Sequence, residues 1–479
     1  MLAIAMFLTP TLVQAGDEAL PLPSDWWHAV DHRAGQAKSG SSESRAQMNT
    51  GLPPAAWSEA SANPRTAPDT IVRASAVGDD AVSNLSLEEA IRQGLAINPA
   101  VRAAASDTEA AGTDVDIAEW GYFPSVDLSA GPEEFPFEDL GYDVSATQML
   151  YDWGKTKSQV AQASAAQREA RRQLGVAEEE ASLDIAEAYL DVLTAQRQLE
   201  TVQGYVDDLG KLETLTQDRG SNGYTDRSEQ GRVSLDLAQA RDDLASQRGT
   251  LMDARQQFRV LVGVPPEGLE TPHPADLTRR LEQGGALDDW IVAAPGYRKA
   301  VASAEQAQAE LDETQASLKP QLNLEGSLQR RQIGGELEND SVIGFRLRMD
   351  TLQGLANFQR PDAARQRLEA ARYRVDDQRR EIRRSVLTLI ENAEVYGDRQ
   401  QALQSQIEQS ATVGKLYDDQ FSVGLRDVND LLTIRQEAYT ARRQLIDLES
   451  QQKRIQYRAA SQLGLMYPLV SGRLGDDTP

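Results

Sequence analysis

Leu140-Gly141-Tyr142-Asp143-Val144-Ser145-Ala146-Thr147 alternates with period two, and Tyr151-Asp152-Trp153-Gly154 follows shortly after it. On an extended strand Leu140, Tyr142, Val144 and Ala146 share one face, and Gly141, Asp143, Ser145 and Thr147 share the other. Val126, Leu128 and Ala130 repeat the theme, so strands are expected at about 122–130 and 140–149. A second pair is expected at about 320–329 and 341–350. There Leu322, Leu324 and Leu328 oppose Asn323, Glu325 and Ser327, and Ile343, Phe345 and Leu347 oppose Gly344, Arg346 and Arg348. Each strand has the roughly 8–10 residues that a tilted membrane-spanning strand needs. Trp120, Tyr122, Tyr151 and Trp153 flank the first pair as an aromatic girdle would. A soluble sheet half-buried on helices would alternate in the same way, so the pattern alone leaves both readings open. Four strands cannot close a barrel, and open edges are not tolerated in lipid. Three copies would close one, with a polar lumen and Leu140, Tyr142, Val144, Leu322, Leu324, Ile343, Phe345 and Leu347 facing lipid.

Working outward, the chain is duplicated. Asn98-Pro99 precedes Phe123-Pro124 by 25 residues, as Ala294-Pro295 precedes Lys319-Pro320. Gly154 and Gly354 are 200 apart, and Asn222-Gly223 and Val423-Gly424 are 201 apart. So are Leu261-Val262-Gly263 and Gln462-Leu463-Gly464. A period this long signals two copies of a domain-sized unit. Each copy reads as a helix (about 86–119, then 296–317), two strands, a very long helix (about 155–218, then 361–421), a tight turn, and a returning helix (about 227–262, then 427–463). The returning helices keep heptads. Val233, Leu237, Ala240, Leu244 and Leu251 form one seam, broken at Gln247; Leu431, Ile434, Ala438, Ala441 and Leu445 form the other, broken later at Gln452. At ~1.5 Å per residue the long helices span roughly 90–95 Å, matching two shorter helices end to end.

The expected architecture is therefore mainly α with a membrane β-barrel part: duplicated coiled-coil hairpins, plus four strands per protomer completing a 12-stranded trimeric barrel over an α-helical tunnel. The expected domains are 84–263 and 293–465, joined by a linker at 264–292 and followed by a tail at 466–479. Residues 1–15 form an apolar run closing on Val13-Gln14-Ala15, which reads as a signal peptide. Residues 16–83 are rich in Pro, Ser, Ala and Gly without periodicity and read as a disordered extension.

Composition narrows the function. Apolar residues make up 40% of the 479 and aromatics only 6%, which favours long exposed helices over a thick core. The net charge of −25 argues against nucleic-acid binding. With no Cys, thiol catalysis, zinc-thiolate sites and an N-terminal lipid anchor are not expected. The histidines number three, and His28 and His32 read as solvated. No catalytic constellation, metal site or cofactor is expected, and the chain does not read as an enzyme.

Phe421-Ser422-Val423-Gly424-Leu425-Arg426 followed by Asp430-Leu431-Leu432, Leu87-Glu88-Glu89-Ala90 with Asn98-Pro99, and Tyr151-Asp152-Trp153-Gly154 form an ordered set. Over about residues 84–465 this set resembles the TolC-like outer-membrane efflux and secretion duct family, leaning to its type I secretion branch. The first turn departs from the pattern: Ser221-Asn222-Gly223-Tyr224 lacks the Val and Leu, although Glu229 stands where the second copy has Asp430. Thr351-Leu352-Gln353-Gly354 is also a poor match.

The resemblance implies a passive homotrimeric conduit through the outer membrane and periplasm. It implies a periplasmic adaptor and an inner-membrane transporter of ABC type as partners, and outer-membrane lipid around the barrel. Val423, Gly424 and Leu425, with Gly223 and Tyr224, would dock the adaptor; Arg426 and Asp430, with Asp226 and Glu229, would hold the aperture shut. The loops at 131–139 and 329–340 would face the cell exterior. The outer-membrane component of a small-molecule efflux pump is the alternative, and a soluble periplasmic scaffold or adaptor a further one.

Overall fold

Pro99 has no N–H to continue a helix and restricts the residue before it, so the helix expected at 86–119 is two helices. α1 (Leu87–Ile97) ends at Asn98, whose backbone is extended and whose side chain caps α2 (Pro99–Glu119) by accepting from the amides of Ala100 and Val101. The chain is described in a computed structural model over residues 85–132, 140–221, 226–272, 277–283, 287–333, 336–349 and 355–471. The expected signal peptide and the extension at 16–83 lie outside the described residues.

The long helices fall where the periodicity puts them. α3 (Lys155–Ser221) is followed by α4 (Arg227–Val262), and α8 (Arg360–Ser422) by α9 (Val428–Leu463). α7 (Pro295–Ala316) opens the second copy. The expected linker is not a plain one. It holds α5 (Leu277–Gln283) and α6 (Leu287–Ala293), and Leu277, Trp290 and Ile291 are buried in the main core. The start of the expected tail forms α10 (Met466–Val470), with Met466 buried.

Packing gives the order α2–α3–α7–α8 in the half nearer the strands and α4–α3–α9–α8 in the other half. One core cluster lies where the shorter helices meet, built on Ile185, Tyr189, Phe258 and Ile291. A second lies toward the helix turns, built on Leu209, Leu212, Val233, Phe421 and Leu431. Between them runs a polar layer. Thr194 bonds Ser450 at 2.9 Å, Gln198 donates to Asp447, and Gln247 donates to the Ala195 carbonyl at 3.4 Å. The heptad break at Gln247 is thus a buried polar contact to α3. On α9 the heptad seam is half the story. Tyr439 and Ile446 are buried while Ile434 and Leu445 are half-buried, because α9 packs on both α8 and α3.

The strands are β1 (Ser125–Pro132), β2 (Leu140–Tyr151), β3 (Gln321–Ile333) and β4 (Glu336–Arg348), in one antiparallel sheet of order β1-β2-β3-β4. The second hairpin is longer than expected. Ladder pairs continue through Arg330↔Asn339 to Ile333↔Glu336, so most of the loop expected at 329–340 is strand. Residues 133–139 of the other expected loop lie outside the described residues.

Glu179 on α3 accepts from the Met466 amide at the start of α10, 3.2 Å away. Burial, with the Glu178 charge beside it, pushes its carboxyl up to about 8, against the pull of that amide. The folded protein therefore holds a proton that the unfolded chain has released between about pH 4.5 and about pH 8. Stability contributed by this group falls as pH rises through that window. Glu179→Gln keeps an acceptor for Met466 and cannot ionise. Its thermal midpoint should drop less than the wild type's between pH 5 and pH 8; equal drops would show that Glu179 does not titrate there.

Candidate functional site at the helix turn and the sheet

The turn between α8 and α9 is built from its glycine. Gly424 has φ +80°, a left-handed conformation that costs a side chain about 1–2 kcal/mol. Its N–H bonds the Phe421 carbonyl at 3.0 Å, and that of Leu425 bonds the Gln420 carbonyl at 2.9 Å. This paired closure is a Schellman motif. Asp427 then caps α9 by accepting from the Asn429 amide at 2.9 Å. Phe421 points inward and is buried, as are Leu431 and Leu432, whereas Val423 is 70% and Leu425 77% exposed. Two apolar side chains are thus held out in water on a rigid turn.

Arg426 is committed within its own hairpin. It donates to Asp430 at 2.8 Å and to Gln420 at 3.0 Å, and its guanidinium lies 4.1 Å from the Tyr417 ring centre. In this chain it pairs with neither Asp226 nor Glu229. Asp226 stands at the N-cap of α4 and accepts from the Ser228 hydroxyl at 2.9 Å, which lowers its pKa. Glu229 is raised by burial and by the charge of Asp427, against the pull of Arg219. Gly223 and Tyr224 lie outside the described residues.

Arg219 was not singled out by sequence. It donates to the Phe421 carbonyl, lies 4.4 Å from the Phe421 ring centre, and so ties the end of α3 to the second turn. Its repeat counterpart 201 positions on is Gln420, so comparing the copies offers no signal for it.

At the opposite end the register sorts the strand residues by face, since directly paired residues lie on the same side. Leu322↔Leu347, Leu324↔Phe345, Gly326↔Ile343 and Val144↔Leu328 make one face apolar. Ile343, Phe345 and Leu347 are exposed on it, Tyr142 just so, and Leu322, Leu324 and Val144 are half-buried. Leu140 pairs with Pro132, and its side chain lies outside the described residues. The other face carries Asp127, Ser145, Ser327 and Asn323, with Glu325 bridging Arg346 at 2.8 Å and Arg348 at 3.2 Å. Among the described residues no long helix packs extensively across either face. That removes the reading in which helices half-bury the sheet.

Aromatic side chains gather where strands meet helices. Trp120 packs on Phe123 and Tyr151 on Trp153, and the Trp153 indole donates to the Pro320 carbonyl at 2.8 Å. Asp152 accepts from the Gly154 amide at 3.0 Å and the Thr156 amide at 2.6 Å, which starts α3. Among the described residues no helix is long and apolar enough to cross a membrane, and no group of His, Cys, Asp or Glu could hold a metal.

The model of the outer membrane efflux protein family matches residues 90–264 and again 287–464. Protein CyaE of Bordetella pertussis is 24% identical over 322 residues, which are 63% of this chain and 67% of the relative. Among solved structures, CusC, described as forming a transmembrane channel, superposes with a TM-score of 0.71 at 13% identity, covering 79% of this chain and 91% of the other. The outer membrane protein VceC of Vibrio cholerae gives 0.68 at 16%, covering 79% and 96%. The open state of the MtrE outer membrane channel of Neisseria gonorrhoeae gives 0.65 at 18%, covering 79% and 88%.

Proposed function

From the premise that the chain belongs to the outer membrane efflux protein family, we propose that it is the exit duct of a type I protein secretion system. The coarse assignment is an outer-membrane channel, not an enzyme, with a long helical periplasmic portion. Three copies of the four-stranded sheet make a 12-stranded barrel above a helical tunnel. Such a duct works with a periplasmic adaptor and an inner-membrane transporter. It has no energy source of its own, so it opens by partner contacts that favour the open state. The proposed partner is a transporter of ABC type.

The observation carrying this reading is the exposed Val423–Leu425 pair on its glycine turn, at the end of the long helices away from the lipid-facing strands. The Val-Gly-Leu-Arg turn leading into Asp430-Leu431-Leu432 is the feature that favours protein export. Small-molecule efflux is the second reading, favoured by the family's own description. Deleting the gene in its host separates the two. Type I export predicts loss of one large extracellular protein with drug susceptibility unchanged; broad drug sensitisation with an unchanged secretome would overturn it.

Val423, Gly424 and Leu425, joined by Gly223 and Tyr224, are the proposed adaptor-docking tip. Arg426 and Asp430, with Asp226 and Glu229 nearby, are the proposed aperture latch. An exposed ion pair is worth about 0–1 kcal/mol, but a threefold axis repeats it. Arg426→Glu places like charge against Asp430, and single-channel conductance in a planar bilayer should rise, with partial closure at low pH. Leu425→Asp should leave conductance near normal and abolish export. Unchanged conductance in intact Arg426→Glu trimers would make the arginine a surface charge only.

A further inference from the structure

The two free edges of the sheet-proximal half carry opposite charge. α2 is one edge helix, packed on α3, and α8 is the other, packed on α7. α2 bears five carboxylates, at Asp107, Glu109, Asp114, Asp116 and Glu119, against the single Arg102. All five are exposed, and none forms an ion pair among the described residues. The first turns of α8, residues 360–374, bear five arginines against two acids, in a chain whose net charge is −25. Arg360 and Arg374 form no ion pair among the described residues, and Arg365 has only its exposed neighbour Asp362 at 2.8 Å.

The levels agree as well as the signs. α2 comes just before β1 in the chain and α8 follows β4, so distance along each axis is counted from those helix ends. At ~1.5 Å per residue, Asp114 and Arg365 both lie about 8 Å from those ends. Asp107 and Arg374 lie at about 18 Å and about 21 Å. The free sheet edges are on the same two sides: β1 follows α2, and β4 precedes α8. A head-to-tail ring that pairs β1 with β4 of the next copy brings these two helices together as well.

We propose that the acidic edge of α2 docks on the basic edge of α8 of a second copy of this chain, so that charge steers ring closure in the sheet-proximal half. The inference rests on the trimeric duct reading. Opposed patches of this kind set encounter rate, register and partner choice, and suppress like-with-like contacts. Two α2 edges, or two α8 edges, would repel, which favours the head-to-tail ring over a two-fold dimer.

The test is reciprocal charge reversal in the full chain, with trimer fraction read in detergent. Asp107→Lys with Asp114→Lys, and separately Arg365→Glu with Arg374→Glu, should each lower the trimer fraction several-fold at about 50 mM salt. Near 1 M salt, where the screening length falls to ~3 Å, the deficits should shrink. All four changes in one chain should restore trimers, which a folding defect would not do; far-UV circular dichroism checks helix content. Both double variants behaving like wild type at low salt would overturn the inference while leaving the duct intact. So would a deficit confined to the arginine variant, which would assign that edge to another anionic surface. A wild-type chain that is monomeric at every salt concentration would sink the duct reading and this inference together.

Discussion

Tyr189→Ala should destabilise the protein by about 3–5 kcal/mol, the range for removing a large buried aromatic from a core. Tyr189 is fully buried on α3 with its ring edge-on to Phe258, centres 6.1 Å apart. Its hydroxyl lies 2.8 Å from the Leu85 carbonyl and 2.6 Å from that of Glu270, and its one proton serves one of them at a time. Burial raises the phenol's pKa, so the proton is held throughout the physiological range. Leu85 also bridges Leu269, and the Glu270 amide bonds the Leu85 carbonyl at 3.2 Å. One side chain thus fastens the start of the first copy, and the segment just after it, to the long helix. Tyr189→Phe keeps the ring and leaves a carbonyl short of a donor, which costs about 1–3 kcal/mol. Urea midpoints at one fixed protein concentration would rank the variants. An alanine variant no worse than the phenylalanine one would mean that the site collapses around the missing ring.

What the sequence discloses depends on how many partners a segment has. The apolar face of β4 answers to one environment, so Ile343, Phe345 and Leu347 alternate cleanly and could be placed on one face at sight. The far part of the same hairpin could not. Glu336-Leu337-Glu338-Asn339-Asp340 is polar at every position but Leu337, and only its ladder with 329–333 makes it a strand. α9 answers to two helices, which hides Tyr439 and Ile446 behind the heptad of Leu431, Ala438 and Ala441. α5 and α6 have seven residues each, too few for a periodicity to emerge, yet Leu277 and Ile291 are fully buried. At the tip, Gly424 and its exposed neighbours were legible because a positive φ demands glycine and an exposed Val or Leu is conspicuous. The partners of Arg426 were not, since Gln420 and Tyr417 carry no signature by themselves.

Phe345→Arg should cost about 2–4 kcal/mol per protomer, because an arginine near the bilayer midplane must be taken out of water without a partner. Phe345 is 75% exposed on the apolar face, opposite Leu324 in the ladder. Arg346 is its neighbour in sequence and points the other way, 2.8 Å from Glu325. Arg346→Phe removes that bridge but leaves Glu325 its contact with Arg348 at 3.2 Å. In the proposed barrel the polar face lines the lumen, where a phenyl ring meets water and costs little beyond its own exposure. The two changes add or remove one charge one residue apart on a single strand, so a general intolerance of β4 to substitution would affect both. Trimer yield after membrane extraction should collapse for Phe345→Arg and stay near wild type for Arg346→Phe. If the two yields fall together, the faces are wrongly assigned and the sheet does not meet lipid along Ile343, Phe345 and Leu347.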